Sequence, residues 1–408
     1  MRRVLGLSWM AMAAVGCGDP GPARYQPYVP EPGTPEAIAY EAGITGHLGA
    51  AVPTEETSVG NVTTFTFDPD DGPMCMRGAE FRASVRETES EDLLIFLQGG
   101  GACWSDFCLA ITAAPSGIPG TDLLRDRPEN PLSGWDVLYV PYCDGSLFAG
   151  ARDIDEDGDG AADRFHRGLA NLSAALSVAA LRFPSPRRVV LAGSSGGGFG
   201  TILAAYLVRY VYPGVPIDVL NDAGIGVARA DDPAFVARIV DELGARELIP
   251  EDCEGCLADG HITELVRYLL DRDPQMRVAA ITSWYDYVIA QVFLMSTPEA
   301  FRDALDVETT ALHEAHPDRY RRFVFDGEAH TALLGDVTGI VGRDLGSVEL
   351  PPGAATLLAR VEISSMYERT IEGVTLAAWV DAMVSGDDDA WRELLEQAGD
   401  PPPLAGEP

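Results

Sequence analysis

A serine set among glycines at the end of an apolar run is the first feature of this sequence that could do chemistry. In RVVLAGSSGGGFG at 188–200, Gly193-Ser194-Ser195-Gly196-Gly197 fits G-x-S-x-G with Ser195 at its centre. A chain turning this sharply from strand to helix leaves no room for side chains beside the serine, so the flanking positions need glycine. The serine is then held in a strained conformation at the head of the helix TILAAYLVRYV, whose dipole favours a developing negative charge. With 43 glycines in the chain the bare pattern is weak, and its place between VVLA and an apolar helix is what makes it specific. The competing interpretation is a phosphate-binding glycine loop. All 29 basic residues are arginine, and a chain without lysine builds no Walker-type loop, Schiff base or Ser–Lys dyad.

A serine hydroxyl needs a base at neutral pH, and the base needs an orienting carboxylate. The sequence offers six histidines. His47 lies in a Pro/Gly-rich segment, His166 beside an acidic loop and His261 at a helix start, while His313 and His316 belong to a polar helix and are expected at the surface. His330 follows the strand-like run at 321–325 on a short loop, where an α/β-hydrolase keeps its base. Asp286, after RVAAIT at 277–282, is the expected acid; the chain order Ser195, Asp286, His330 is that of α/β-hydrolases. Asp222, after IDVL at 217–220, is the main competitor, and Asp326 suits a turn. The tetrahedral intermediate also needs donors. Gln98-Gly99-Gly100-Gly101-Ala102-Cys103 ends the run LLIFLQ, so the backbone N–H groups of Gly101 and Ala102, with that of Gly196, are the expected oxyanion hole. Trp104, Phe199, Trp284, Tyr285 and Tyr287 are candidates for the acyl or sugar pocket, of which one or two are expected to line it.

These residues require a framework. Apolar runs at 93–98, 135–142, 188–192, 217–220, 277–282 and 321–325 alternate with helical patterns near 169–181, 199–211, 233–243 and 262–270. Such alternation predicts an α/β domain with a mainly parallel sheet and helices on both faces. Segments 64–67 and 81–87 are expected to add an antiparallel edge, and two helices, near 376–384 and 389–397, to close the chain. At the start, Arg2-Arg3, an apolar run to Val15 and Gly16-Cys17 read as a signal peptide over 1–16. Ala14-Val15-Gly16-Cys17 resembles a bacterial lipobox, with Cys17 as the lipidated residue. Residues 17–60, rich in Pro, Glu, Gly and Ala, are expected to form a tether, 61–400 one catalytic domain and 401–408 a tail.

With 63 acidic against 29 basic residues, the net charge of −34 argues against nucleic-acid partners. Setting Cys17 aside leaves six cysteines, an even number that in an exported chain favours up to three disulfides. Cys103/Cys108 and Cys253/Cys256 could close locally and leave Cys75 for Cys143, although spacing alone does not fix connectivity. Asp155-Glu156-Asp157-Gly158-Asp159-Gly160-Ala161-Ala162-Asp163 resembles the calcium loops of thrombospondin type-3 and EF-hand-like repeats. Asp155, Asp157, Asp159 and Asp163 are the expected oxygen donors. A full EF-hand is not expected, because His166 stands where the bidentate glutamate belongs. The ion would stiffen a loop over 153–163, and hydrolysis itself needs no cofactor.

Taken in order, LIFLQGGGACW, VPYCDGSLFAG, FHRGLANL, LAGSSGGGFG, NDAG, SWYDYVIAQ and DGEAHTALL resemble the pectin acetylesterase/Notum family of serine carboxylesterases, over about residues 60–398. The resemblance implies an α/β-hydrolase fold and hydrolysis of O-acyl esters, with Ser195 as nucleophile, Asp286 as acid, His330 as base and Gly101, Ala102 and Gly196 as oxyanion positions. Two departures concern pocket shape: Ala102 stands where the family has Trp, and Gly196 where it has Ala. The expectation is an exported, lipid-anchored serine esterase acting on an acylated glycan or another ester, most simply an O-acetyl ester. The alternatives are a long-chain deacylase on the same triad and a non-catalytic, calcium-loaded glycan-binding lipoprotein.

Overall fold

The computed structural model describes residues 23–258, 260–335, 348–349 and 359–404. The expected signal peptide and Cys17 lie outside the described residues. The ten strands of the central sheet are β1 (Glu55–Val59), β2 (Val62–Phe67), β3 (Phe81–Arg86), β4 (Asp92–Leu97), β5 (Asp136–Val140), β6 (Arg188–Ser194), β7 (Ile217–Asp222), β8 (Met276–Ser283), β9 (Tyr320–Phe325) and β10 (Leu394–Leu395). Their spatial order is β1-β2-β3-β5-β4-β6-β7-β8-β9-β10. From β5 to β10 all pairs are parallel, and β1, β2 and β3 form the antiparallel edge. This is an α/β-hydrolase-like fold, as the strand–helix alternation predicts.

The apolar runs are continuous because the sheet is covered on both sides. Leu93, Ile95 and Leu97 of β4 face one core while Leu94 and Phe96 face the other. Helices α1 (Ala37–Glu41), α2 (Gly168–Arg182), α3 (Gly196–Val211), α4 (Phe235–Glu242), α5 (Thr263–Arg272) and α6 (Pro298–Ala315) contribute to the first core. The second is closed by α7 (Leu376–Ser385), Trp391 and irregular segments. After β4 the chain steps back to place β5 beside β3, then crosses to β6 on the other side of β4. Such a reversal opens a crevice at the carboxyl ends of the strands flanking it. The ends of β4 and β6 carry the glycine run at 99–101 and Ser195.

Two expectations are corrected. The segment expected to be a tether packs on the body from its first described residues. The Tyr28 ring stacks on Tyr210 at 4.6 Å, Gly49 N–H donates to Ser177 Oγ at 2.8 Å, and Ile38, Ile44 and Leu48 are buried. A few well-spaced apolar anchors suffice to lay a Pro/Gly-rich chain along a surface, and the sheet itself begins at Glu55, before the expected boundary. The second closing helix is absent: residues 389–397 turn and form β10 against β9. A helix that short is marginal alone. Burial of Trp391 against Trp379, ring centroids 6.1 Å apart, and the Glu396 N–H bond to the Val324 carbonyl at 2.8 Å decide the outcome.

Three disulfides close among the described residues, Cys75–Cys143, Cys103–Cys108 and Cys253–Cys256. The first ties the loop before β3 to the loop after β5. The second clasps a hairpin of strands Gly101–Trp104 and Phe107–Ile111, which rises directly from the glycine run.

Candidate active site

Ser195 stands between β6 and α3 at φ 57° and ψ −122°, a region that costs a side chain strain. The flanking glycines are obligatory. A Cβ on Gly193 would fall 2.2 Å from the Gly197 carbonyl oxygen, and one on Gly197 would fall 2.0 Å from that of Leu97. Ser195 is partly exposed while residues 190–194 and 196–200 are buried, so the turn presents its hydroxyl and little else. Its own N–H donates to the Asp222 carbonyl at 2.8 Å.

His330 and Asp286 are brought together on the loops after β9 and β8. His330 Nδ1 donates to both carboxylate oxygens of Asp286, each at 2.9 Å, and Ile289 N–H donates to Asp286 Oδ1 at 3.0 Å. Both side chains are buried, Asp286 completely, so the pair is a charge-assisted contact shielded from water. The two loops are zipped along their backbones. Trp284 N–H donates to the Phe325 carbonyl, Tyr285 N–H to that of Gly327 and Tyr287 N–H to that of Glu328, at 2.9 to 3.1 Å.

Asp222, the competitor for the acid role, has other partners. Its Oδ2 accepts from Ser194 Oγ at 2.7 Å and Leu333 N–H at 3.0 Å, and its Oδ1 from Ala332 N–H at 2.9 Å. Burial pushes this carboxyl up to about 6, against those hydrogen bonds.

Around the serine, a Cβ on Gly196 would lie 2.9 Å from the Gly101 carbonyl oxygen, so those two expected oxyanion positions are adjacent. Gly196 opens α3, and its N–H has no partner within the helix. Gly101 takes φ +85°, and a Cβ there would strike the Leu109 carbonyl at 1.9 Å. Ala102 is buried one residue further along the hairpin, opposite Leu109. Gly99 was not singled out from the sequence, although it heads the glycine run. A Cβ on it would fall 3.2 Å from Ser195 Cβ, so the run presses on the serine there.

The expected pocket residues divide. Trp104 and Phe199 join one aromatic wall through Phe293, at 5.5 Å and 5.1 Å, and Phe235 of α4 packs on Trp104 at 6.0 Å. Phe293, on the π-helical turn Val288–Phe293, and Phe235 gave no sequence signal beyond apolarity. Trp284 and Tyr285 are corrected: they are buried, and Trp284 Nε1 donates to the Glu396 carbonyl while the Tyr285 hydroxyl donates to that of Gly399, both at 2.7 Å. They brace the C-terminal segment. Ser105, at the hairpin tip, is held to α4 by Glu242, which accepts its hydroxyl at 2.9 Å.

In the acidic loop, Asp155, Asp157 and Asp159 can each offer a carboxylate oxygen within 4.8 Å of the others. Asp163 stands apart from that group and accepts from Glu156 N–H at 3.2 Å. Backbone N–H bonds from Gly160 and Gly158 hold the Asp155 carboxyl below its usual range.

His316 and His166 are held inside the fold. His316 is buried and not at the surface as expected, because Arg319 Nη2 approaches its Nδ1 at 3.0 Å. His166 is buried, its Nδ1 lies 2.9 Å from the Asp144 carbonyl, and burial pushes the imidazole down to about 4. The folded chain therefore keeps His166 neutral below the ordinary 6.5, where the unfolded chain takes up a proton. Its contribution, of the order of 3 kcal/mol, is complete above pH 6.5 and is lost as pH falls toward 4. The expected outcome is that His166→Asn shows a flatter fall in Tm from pH 6.5 to 4 than the wild type, as measured by thermal melts across that window.

Compared with known protein families, residues 56–253 match the pectinacetylesterase family model, a stretch running from β1 through the glycine run and Ser195 to Cys253. Among curated proteins the chain has no match.

Proposed function

Because residues 56–253 match the pectinacetylesterase family, whose members are carbohydrate esterases acting on acetyl esters, we propose that this chain is a serine carboxylesterase of that family removing O-acetyl groups from a polysaccharide. Ser195 Oγ attacks the acyl carbonyl carbon while His330 Nε2 takes its proton. Asp286 holds the proton on Nδ1 and stabilises the imidazolium. Backbone N–H groups of Gly101, Ala102 and Gly196 receive the oxyanion. The proton passes from His330 to the departing sugar oxygen, and water, deprotonated by the same imidazole, then cleaves the acyl-enzyme. The observation that carries this reading is the buried His330–Asp286 pair, at the carboxyl end of the sheet whose strained elbow presents Ser195. Phe199, on the first turn of α3 beyond Ser195, packs on Phe293 and through it on Trp104, and bulky rings so near the elbow favour a short acyl group.

A long-chain deacylase is the second reading; it would need the apolar cavity between α3 and α4, lined by Leu147, Phe199, Leu203, Val236, Ile239 and Phe293, to open well beyond its room of about 20 Å³. Hydrolysis of p-nitrophenyl esters from acetyl to palmitoyl separates the two. The expected result is highest kcat/KM on acetate and a decline of about tenfold or more by octanoate, since an overfilled pocket costs 1–3 kcal/mol. A rise with chain length would replace the acetylesterase by the deacylase.

The protein is read as anchored through Cys17 and as exported, and the disulfides support the export because such bonds persist in oxidising compartments. Calcium in the acidic loop is supported by the convergence of Asp155, Asp157 and Asp159. Calcium is expected to raise Tm, to do so no longer in Asp157→Asn, and to leave kcat on acetate unchanged; equal melts with and without calcium would remove the ion from the account.

A further inference from the structure

The catalytic groups proposed above stand on two separate pieces of the fold. Ser195 belongs to the β6–α3 elbow. His330 and Asp286 belong to the zipped loops after β8 and β9, whose backbone bonds hold that pair without help from β6. The strand between these pieces is β7, and it ends at Asp222. We propose that Asp222 is a positioning residue that sets the place of the histidine loop relative to the nucleophile elbow. The inference rests on the Ser195–His330–Asp286 reading.

Toward the elbow, the Asp222 carbonyl receives Ser195 N–H and Oδ2 receives Ser194 Oγ. Toward the histidine loop, Oδ1 and Oδ2 receive the N–H groups of Ala332 and Leu333, two and three residues beyond His330. The carboxylate is completely buried, so every partner counts and none is replaced by water. Between His330 and Ala332 the chain passes through Thr331 at φ +71°, an unusual conformation for a β-branched residue. The loop is thus drawn onto Asp222 rather than resting there by local preference. Asn221 fastens the end of β7 to the elbow side alone, with its Nδ2 donating to the carbonyls of Gly198 on α3 and Gly224 at 2.9 and 3.0 Å.

The test uses the full purified chain as wild type, Asp222→Asn, Ser194→Ala and Ser195→Ala, with p-nitrophenyl acetate turnover, the rate of fluorophosphonate labelling, and the downfield proton resonance of His330 Nδ1. In Asp222→Asn one amide N–H group meets a backbone N–H. The expected result is a fall of about 10- to 100-fold in kcat, the scale of a displacement near 1 Å, with KM within about twofold. Labelling should slow by the same factor while the downfield resonance persists, because the His330–Asp286 pair is held elsewhere. Ser194→Ala, which keeps the charge and serves if the first variant does not fold, should lose about threefold to tenfold in the same pattern. Wild-type kcat and labelling in the folded variants overturn the proposal, as does loss of the resonance together with activity, which would make Asp222 a support of the pair itself. Turnover retained by Ser195→Ala overturns instead the triad reading on which the proposal stands.

Discussion

Replacing Ser195 with alanine is expected to lower kcat on p-nitrophenyl acetate by at least about a thousandfold while leaving the thermal melt unchanged. The two halves of this expectation come from one observation. Serine at a helix N-cap ordinarily holds a backbone N–H of the first turn, and removing it costs about 1 kcal/mol. Ser195 occupies the N-cap of α3 and makes no such bond. Its hydroxyl is therefore not spent on the helix, and alanine bears the same φ strain that serine bears. Ser194 is the internal comparison: its buried hydroxyl is bonded to Asp222, so Ser194→Ala should lower both Tm and activity modestly. A residue that costs strain and contributes no cap is retained for what its oxygen does. Turnover by Ser195→Ala within tenfold of wild type, in folded protein, would end the serine-esterase reading.

The parts of this site that sequence revealed are those whose constraints are local. Gly193 is forced by the Gly197 carbonyl within the elbow and Gly197 by the close approach of Leu97 on β4, and both fall in one run of consecutive residues around Ser195. Asp286 and His330 each follow directly on a strand, and strand ends are legible from apolar runs. What was missed depends on contacts between distant segments. Asp222 stood out only as a competing acid, and its positioning contacts, with partners 110 and 111 residues away, are encoded by no spacing rule. Phe235 and Phe293 reach Trp104 only because α4 and a π-helical turn close over the hairpin. Trp284 and Tyr285 sit beside Asp286 in sequence, yet both reach the C-terminal segment while Asp286 meets His330, because the chain turns at 284–285 as it leaves β8. The packed 24–53 region shows the limit of composition: Pro and Gly content exclude a long helix there, not a fixed path.

Exchanging Asp286 for asparagine is expected to cost about 10³ to 10⁴ in kcat, more than the Asp222→Asn exchange and with KM little changed. Asp286 accepts His330 Nδ1–H through both oxygens and is completely buried. Asparagine preserves the volume and the Ile289 N–H bond to Oδ1, so the backbone turn survives. Its amide nitrogen, a donor, then competes to face Nδ1 and favours the imidazole tautomer that carries its proton on Nε2. That tautomer has no lone pair to offer Ser195. The fault is one of proton placement and not of folding, so Tm should move far less than kcat. Asp222 does not substitute, because Ser194, Ala332 and Leu333 already occupy its oxygens. The order of the two effects is the discriminating measurement: if Asp222→Asn is the more damaging exchange and Asp286→Asn retains a tenth of the activity, the acid role belongs to Asp222, and the bidentate contact to His330 is an architectural bond between two loops.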